Sequence, residues 1–131
     1  MKEKLEKLLE NSYAPYSNYH FACIVEGENG KLYQGVNIEN ASFGGTICAE
    51  RNAINAGVSD GVRKFKALYL MTDKDEILMP CHLCKQTFLE FLDNDVIFNI
   101  MTKSGKMKVL SFKDIMNTTF SKEEMKWKVG L

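Results

Sequence analysis

Apolar positions recur at helical spacing at the start of the chain: Leu5, Leu8 and Leu9 share one face across residues 2–12, with Lys and Glu elsewhere. That pattern predicts an amphipathic helix packing one stripe on the body of the domain. Ala14-Pro15-Tyr16-Ser17-Asn18 breaks it. Residues 19–26 and 31–37 are rich in aromatic and branched side chains, and Gly27-Glu28-Asn29-Gly30 between them supplies turn chemistry, which together predict a β-hairpin. Residues 39–45 are small and polar and read as a connection. Thr46 or its neighbour can then cap a helix over about 48–56, closed by Gly57. Residues 65–72 form a short apolar run suited to a buried strand.

Pro80 fits a helix start, and Gln86, Phe88, Leu89, Phe91 and Leu92 continue at helical spacing. Residues 96–101 and 106–110 predict two more strands, joined by a turn at Lys103-Ser104-Gly105. Ser121 and Glu124 have capping-box spacing, and Phe120 and Met125 are placed to staple the cap, so a short terminal helix should end near Val129. The order αββαβαββα predicts an α/β fold, a three-layer α/β/α arrangement with a central mixed sheet of about five strands. Each of the two middle helices follows a strand. No internal repeat or linker divides the 131 residues, so 1–131 reads as a single domain.

Composition narrows the class. With 45% hydrophobic and 26% charged residues the chain resembles an ordinary soluble globular domain able to bury a core without staples. Formal net charge is zero and the pI is about 6.7, which leaves no electrostatic footprint for a phosphate backbone. Residues 1–9 lack the apolar core of a signal peptide, and no run approaches the ~20 apolar residues of a membrane span. The expectation is a cytoplasmic protein that binds neither nucleic acid nor membrane.

Cysteine placement brings in chemistry. Pro80-Cys81-His82-Leu83-Cys84 sets two thiols one helical turn apart, a spacing that points to metal or redox chemistry rather than disulfides in a reducing compartment. Thr46-Ile47-Cys48-Ala49-Glu50-Arg51 sets a third thiol two residues before a carboxylate. Cys23 lies in an alternating apolar segment and reads as a core residue. Catalytic zinc takes three protein ligands and leaves a position open, whereas structural zinc is closed by four. Cys48, Cys81 and Cys84 make three. Neither His20 nor His82 sits in a recognisable ligand pattern, so the open site is favoured; a structural module would need Cys23 or a histidine as the fourth ligand.

Three thiolates around a dication leave net negative charge, which two helix N-termini would offset through their free amides and dipoles. Arg51 has two readings: a partner to the Cys81 or Cys84 thiolate, or a solvated charge on a helix face. Glu50 likewise is either a general acid/base beside an activated water or a first-turn glutamate favouring the helix dipole.

Taken together, Cys48-Ala49-Glu50 and Pro80-Cys81-x-x-Cys84 match the zinc deaminase signature in its all-cysteine variant. With Ala14-Pro15-Tyr16-Ser17 and Gly35-Val36-Asn37-Ile38-Glu39-Asn40-Ala41-Ser42 in the same order, the chain closely resembles the small cytidine deaminase family over roughly residues 5–125. The resemblance implies a cytidine deaminase-like fold and hydrolytic deamination of cytidine and 2′-deoxycytidine, in pyrimidine salvage, by a homotetramer with active sites at subunit interfaces. It implies that Cys48, Cys81 and Cys84 hold Zn2+, that Glu50 shuttles the proton and that the Ala49 amide holds the base carbonyl. Asn37 and Glu39 would clamp the ribose, Tyr19 would stack on the base where the family usually has phenylalanine, and Arg51 would back the thiolates. Phe120 matches a C-terminal aromatic that reaches a neighbouring subunit's substrate, in competition with its role as a staple. Ala41 and Phe43, the latter where tyrosine is common, would lie along the substrate.

The sequence departs from the family at His82 and Leu83, where small residues are usual, at Lys85, where arginine is usual, and at Asn117, where proline is frequent. His82 reads as solvent-facing or packed rather than ligating. Blasticidin S deaminases share the core motifs, and the Asn37 and Glu39 clamp favours a ribonucleoside over that substrate.

Overall fold

A computed structural model describes residues 1–118. The elements are α1 (Lys2–Leu9), β1 (Phe21–Gly27), β2 (Leu32–Val36), a 3-10 turn (Phe43–Gly45), α2 (Ala49–Ser59), β3 (Phe65–Thr72), α3 (His82–Phe91), β4 (Leu92–Thr102), β5 (Met107–Ser111) and α4 (Phe112–Met116). Five strands form one sheet in the order β2-β1-β3-β4-β5. β3 and β4 are parallel because α3 carries the chain across the sheet between them, and every other pair is antiparallel. The expected mixed α/β sheet is thus present.

Strand alternation divides the core into two layers. Cys23 and Val25 of β1, Leu68 and Leu70 of β3, and Phe98 and Ile100 of β4 face α2, α3 and α4, where Ala53, Ile54, Phe88 and Ile115 meet them. Ala22, Ile24, Met71 and Met101 point the other way, against Leu5, Leu8 and Leu9 of α1. Helices therefore cover both faces, and Cys23 is the core residue its pattern predicts, with no exposed surface.

Two glycines decide how α2 sits. A Cβ on Gly35 of β2 would stand 2.4 Å from the Ala53 amide nitrogen and 2.6 Å from the Ala49 carbonyl, so only glycine lets the first turns of α2 lie on that strand. Gly57, expected to end the helix, lies inside it; a Cβ there would stand 2.6 Å from the Phe65 ring. Close packing, not a left-handed turn, is its reason. The left-handed residue past the helix is Gly61, with φ of 94°.

Other boundaries shift for physical reasons. Cys48 and Cys81, not Thr46 and Pro80, occupy the cap positions of α2 and α3. Thr46 Oγ1 accepts instead from the Asn40 amide. α1 stops at Leu9, three residues before the predicted end. The predicted terminal helix, with Phe120 and its staple, lies outside the described residues. α4 was absent from the prediction, although Ser111-x-x-Asp114 is its capping box: Ser111 Oγ accepts from the Asp114 amide at 3.1 Å and the Asp114 carboxylate accepts from the Ser111 amide at 3.3 Å.

Candidate active site

Two helix starts converge on one point. Cys48 precedes the first residue of α2, Cys81 precedes the first of α3, and Cys84 lies in the first turn of α3. The Cys48 and Cys81 sulfurs are 3.8 Å apart, the Cys81 and Cys84 sulfurs 3.6 Å, and all three lie within 4.8 Å of one another. Sulfurs on a tetrahedral zinc with bonds of ~2.3 Å stand about 3.8 Å apart, so the spacing fits that ion. Cys84 is buried and the other two are half-buried, leaving one side open. All four cysteines are free. Among the described residues the cluster contains no fourth ligand: Cys23 is in the core and His82 is exposed.

Glu50, in the first turn of α2, is 5% exposed. The Ala49 amide, at the first position of the same helix, has no acceptor within the helix and so is available to a ligand. Sugar-clamp candidates come alongside through a short antiparallel bridge, in which the Ile38 amide donates to the Ile47 carbonyl at 2.9 Å and the Ile47 amide returns at 3.0 Å. In that register Asn37 lies across from Cys48, and Glu39 across from Thr46. Both are buried, 6% and 7% exposed, while Ile38 between them is 48% exposed, as an alternating strand requires.

A cluster of three thiols with a buried glutamate beside it, on this fold, resolves the family. The model of the cytidine and deoxycytidylate deaminase zinc-binding region matches residues 1–100. The chain belongs to this deaminase family. It is similar to a cytidine deaminase from Sporosarcina psychrophila, at 34% identity over 93% of this chain and 90% of the relative. It is also similar to a probable cytidine deaminase from Dictyostelium discoideum, at 39% identity over 73% and 71% of the two chains. The crystal structure of a cytidine deaminase from Burkholderia pseudomallei superposes with a TM-score of 0.82 at 30% identity, over 90% of this chain and 94% of that one. Zinc is therefore the metal of this cysteine cluster.

The electrostatics of the deaminase site suit a dication. Hydrogen bonds with Cys48 and Cys84, and with the amides of Leu83 and Cys84, hold the Cys81 thiol far below its usual range. The Cys48 thiol is pushed up, first by its bond to Cys81, against the opposing bond to Cys84, and then by burial and the charge of Glu50; the Cys84 thiol is pushed up by its bonds to both other sulfurs, then by burial and Glu50. One thiolate thus forms readily and a second and third resist, until a cation enters among them. Burial pushes the Glu50 carboxyl up to about 7, against the pull of its own backbone amide, Cys84 and Arg51. Burial also opposes the charge of Arg51, but bonds and charges from Cys48 and Cys84 more than restore it. The Arg51 guanidinium donates to the Cys48 sulfur at 3.9 Å and to the Thr46 carbonyl at 3.3 Å. Its hydrogen bond reaches the first cysteine, where the second motif was the expected partner, because i to i+3 spacing on one helix end brings the two together.

The remaining predicted residues are placed less centrally. Tyr19 is half-buried, with Lys74 Nζ 4.8 Å from its ring centroid. Ala41 is exposed, and Phe43 is 79% exposed in an edge-on pair with Tyr16 at 6.3 Å. Leu83 is exposed beside His82, while Lys85 is buried and donates to the Thr118 carbonyl. Phe120 lies outside the described residues.

Sequence reasoning missed what holds Asn37 and Glu39. Glu39 accepts from the Tyr16 amide at 3.0 Å, the Ser17 amide at 3.1 Å and the Ser17 hydroxyl. Asn37 Oδ1 accepts from the Ser12 hydroxyl and from the Phe21 amide at 2.9 Å, and its Nδ2 donates to the Tyr19 carbonyl at 2.8 Å. These partners lie 16 to 25 residues away, beyond any local pattern.

Proposed function

We propose that this chain hydrolyses cytidine and 2′-deoxycytidine to uridine and 2′-deoxyuridine with release of ammonia, as a pyrimidine salvage enzyme. The observation that carries the reading is Glu50, a carboxyl 5% exposed beside three thiols set for one zinc ion. Zinc held by Cys48, Cys81 and Cys84 supplies a Lewis acid that activates water at neutral pH. Glu50 takes a proton from the attacking water and delivers it to the ring nitrogen, and then carries the second proton to the departing amine. Burial favours that role, since a carboxyl titrating near neutrality both takes and gives a proton. The Ala49 amide fixes the base carbonyl, and Tyr19 stacks on the ring.

Asn37 has one Nδ2 hydrogen left after its internal bonds and offers it to a sugar hydroxyl, while Glu39 accepts from the sugar. Arg51 backs the Cys48 sulfur, sharing its negative charge once zinc is bound. A homotetramer with sites at subunit interfaces fits the exposed apolar rim of Tyr16, Ile38 and Phe43, and Ala41 and Phe43 on that rim, with Phe120 of a neighbour, would complete the pocket. We also infer one domain over residues 1–131 and a reducing, cytoplasmic setting for the free thiols; among the described residues no helix is long and apolar enough to cross a membrane. An ultraviolet assay of cytidine loss tests the reading, with Glu50→Gln as control. Turnover by the parent and its loss in the variant are expected, and cytidine left intact by the zinc-loaded parent would overturn it.

A further inference from the structure

The bonds that hold Asn37 continue beyond it. Ser12 lies three residues past α1, and its hydroxyl donates to Asn37 Oδ1. A hydroxyl has one hydrogen, so its oxygen meets its next neighbour as an acceptor. That neighbour is His20 Nδ1, 2.9 Å away, which must therefore carry a hydrogen. The His20 backbone is itself pinned, its amide donating to Asp73 Oδ1 at 3.0 Å and its carbonyl accepting from the Asp73 amide at 3.2 Å. His20 also lines an open groove of about 220 Å³ with Glu6, Leu9, Glu10, Asp73 and Lys103. A continuous donor chain thus runs from the His20 imidazole through the Ser12 hydroxyl to the Asn37 carboxamide and on to the Tyr19 carbonyl.

The geometry points to Ser12 and His20 as positioning residues for Asn37. Two donors aimed at Oδ1, from Ser12 and the Phe21 amide, fix which end of the carboxamide is oxygen. The free hydrogen on Nδ2 then faces one direction only. Without His20 donating, the Ser12 hydroxyl can turn toward the imidazole and leave Oδ1 with one partner. With it, the hydroxyl is committed to Asn37. α1 thereby has a task beyond covering the sheet: Leu5, Leu8 and Leu9 anchor the helix whose end delivers Ser12 to the sugar side of the site.

The inference rests on the reading of Asn37 as a sugar contact, so its test separates the two. In the zinc-loaded protein, KM and kcat are measured for cytidine, 2′-deoxycytidine and 3′-deoxycytidine in the parent, Asn37→Ala, Ser12→Ala, Ser12→Thr, His20→Leu and His20→Asn. Ser12→Ala should raise KM for cytidine about 3- to 10-fold with kcat little changed, the factor one hydrogen bond is worth. The effect should vanish for the analogue lacking the hydroxyl that Asn37 holds. Ser12→Thr, which keeps the hydroxyl, and His20→Asn, whose Nδ2 keeps an N–H donor at the place of Nδ1, should restore parent values. His20→Leu should match Ser12→Ala, and the two together should be no worse than either, because they lie in series. Asn37→Ala without effect on any KM removes the sugar contact itself. Asn37→Ala with the expected loss, but Ser12→Ala acting equally on all three substrates or not at all, overturns the relay alone.

Discussion

The two halves of the site are built in opposite ways. The sulfur half draws its residues from the first turns of two helices, with Cys48, Glu50 and Arg51 on one and Cys81 and Cys84 beside the other, so short-range spacing sets the geometry within each motif. The other half, the proposed sugar clamp, is stitched from distant pieces: segment 12–20 wraps residues 37–39, with Tyr13 bridging Ile38 and Ser17 on Glu39. Two helix starts, once packing brings α2 and α3 together, hold three sulfurs at metal distance, whereas a loop-built clamp needs every donor counted. A lost residue in the first half should therefore end the reaction, and a lost partner in the second should weaken it by the strength of one hydrogen bond.

Cys81→Ala should break the first half outright. With two sulfurs left, zinc content measured by atomic absorption should fall from about one per chain to near zero, and cytidine turnover with it. Glu50→Gln should keep the metal and lower kcat by about 10²- to 10⁴-fold, the range of a general acid/base, which steady-state kinetics on the zinc-loaded variant will read. Gly35→Ala should damage both halves, since its Cβ would press on the Ala49 carbonyl and Ala53 nitrogen, backbone atoms that cannot swing aside. A stability loss of about 1–3 kcal/mol by urea unfolding is expected, with turnover falling in the surviving fold. Glu39→Gln keeps one oxygen for the Tyr16 and Ser17 amides but gives up the charge, so kcat/KM for cytidine should fall about 10-fold with zinc content unchanged. An equal loss from Glu39→Gln and Glu50→Gln would erase the distinction between the halves.

That same contrast explains what could be read from sequence. Cys48, Glu50, Cys81 and Cys84 announce themselves because a helix start repeats the same local geometry wherever it occurs, and both motifs do begin helices. The strands and their mixed sheet followed from alternation and from the crossover through α3. Ser12, Ser17 and His20 carried no such signal, because their role depends on which distant atom they meet. Gly57 misled for a related reason: a glycine near a helix end suits a left-handed cap and a close packing contact equally, and only the Phe65 ring decides between them. α4 was legible in Ser111 and Asp114 but was masked by the later Ser121 and Glu124 pair, whose spacing is the same.

Cysteines at two helix starts hold the metal on which deamination depends. The most direct test of that dependence is cytidine turnover by one preparation before zinc removal, after it, and after one equivalent of zinc is returned. Loss on removal and recovery on return are predicted. Undiminished turnover in a preparation shown to be free of zinc would contradict the account.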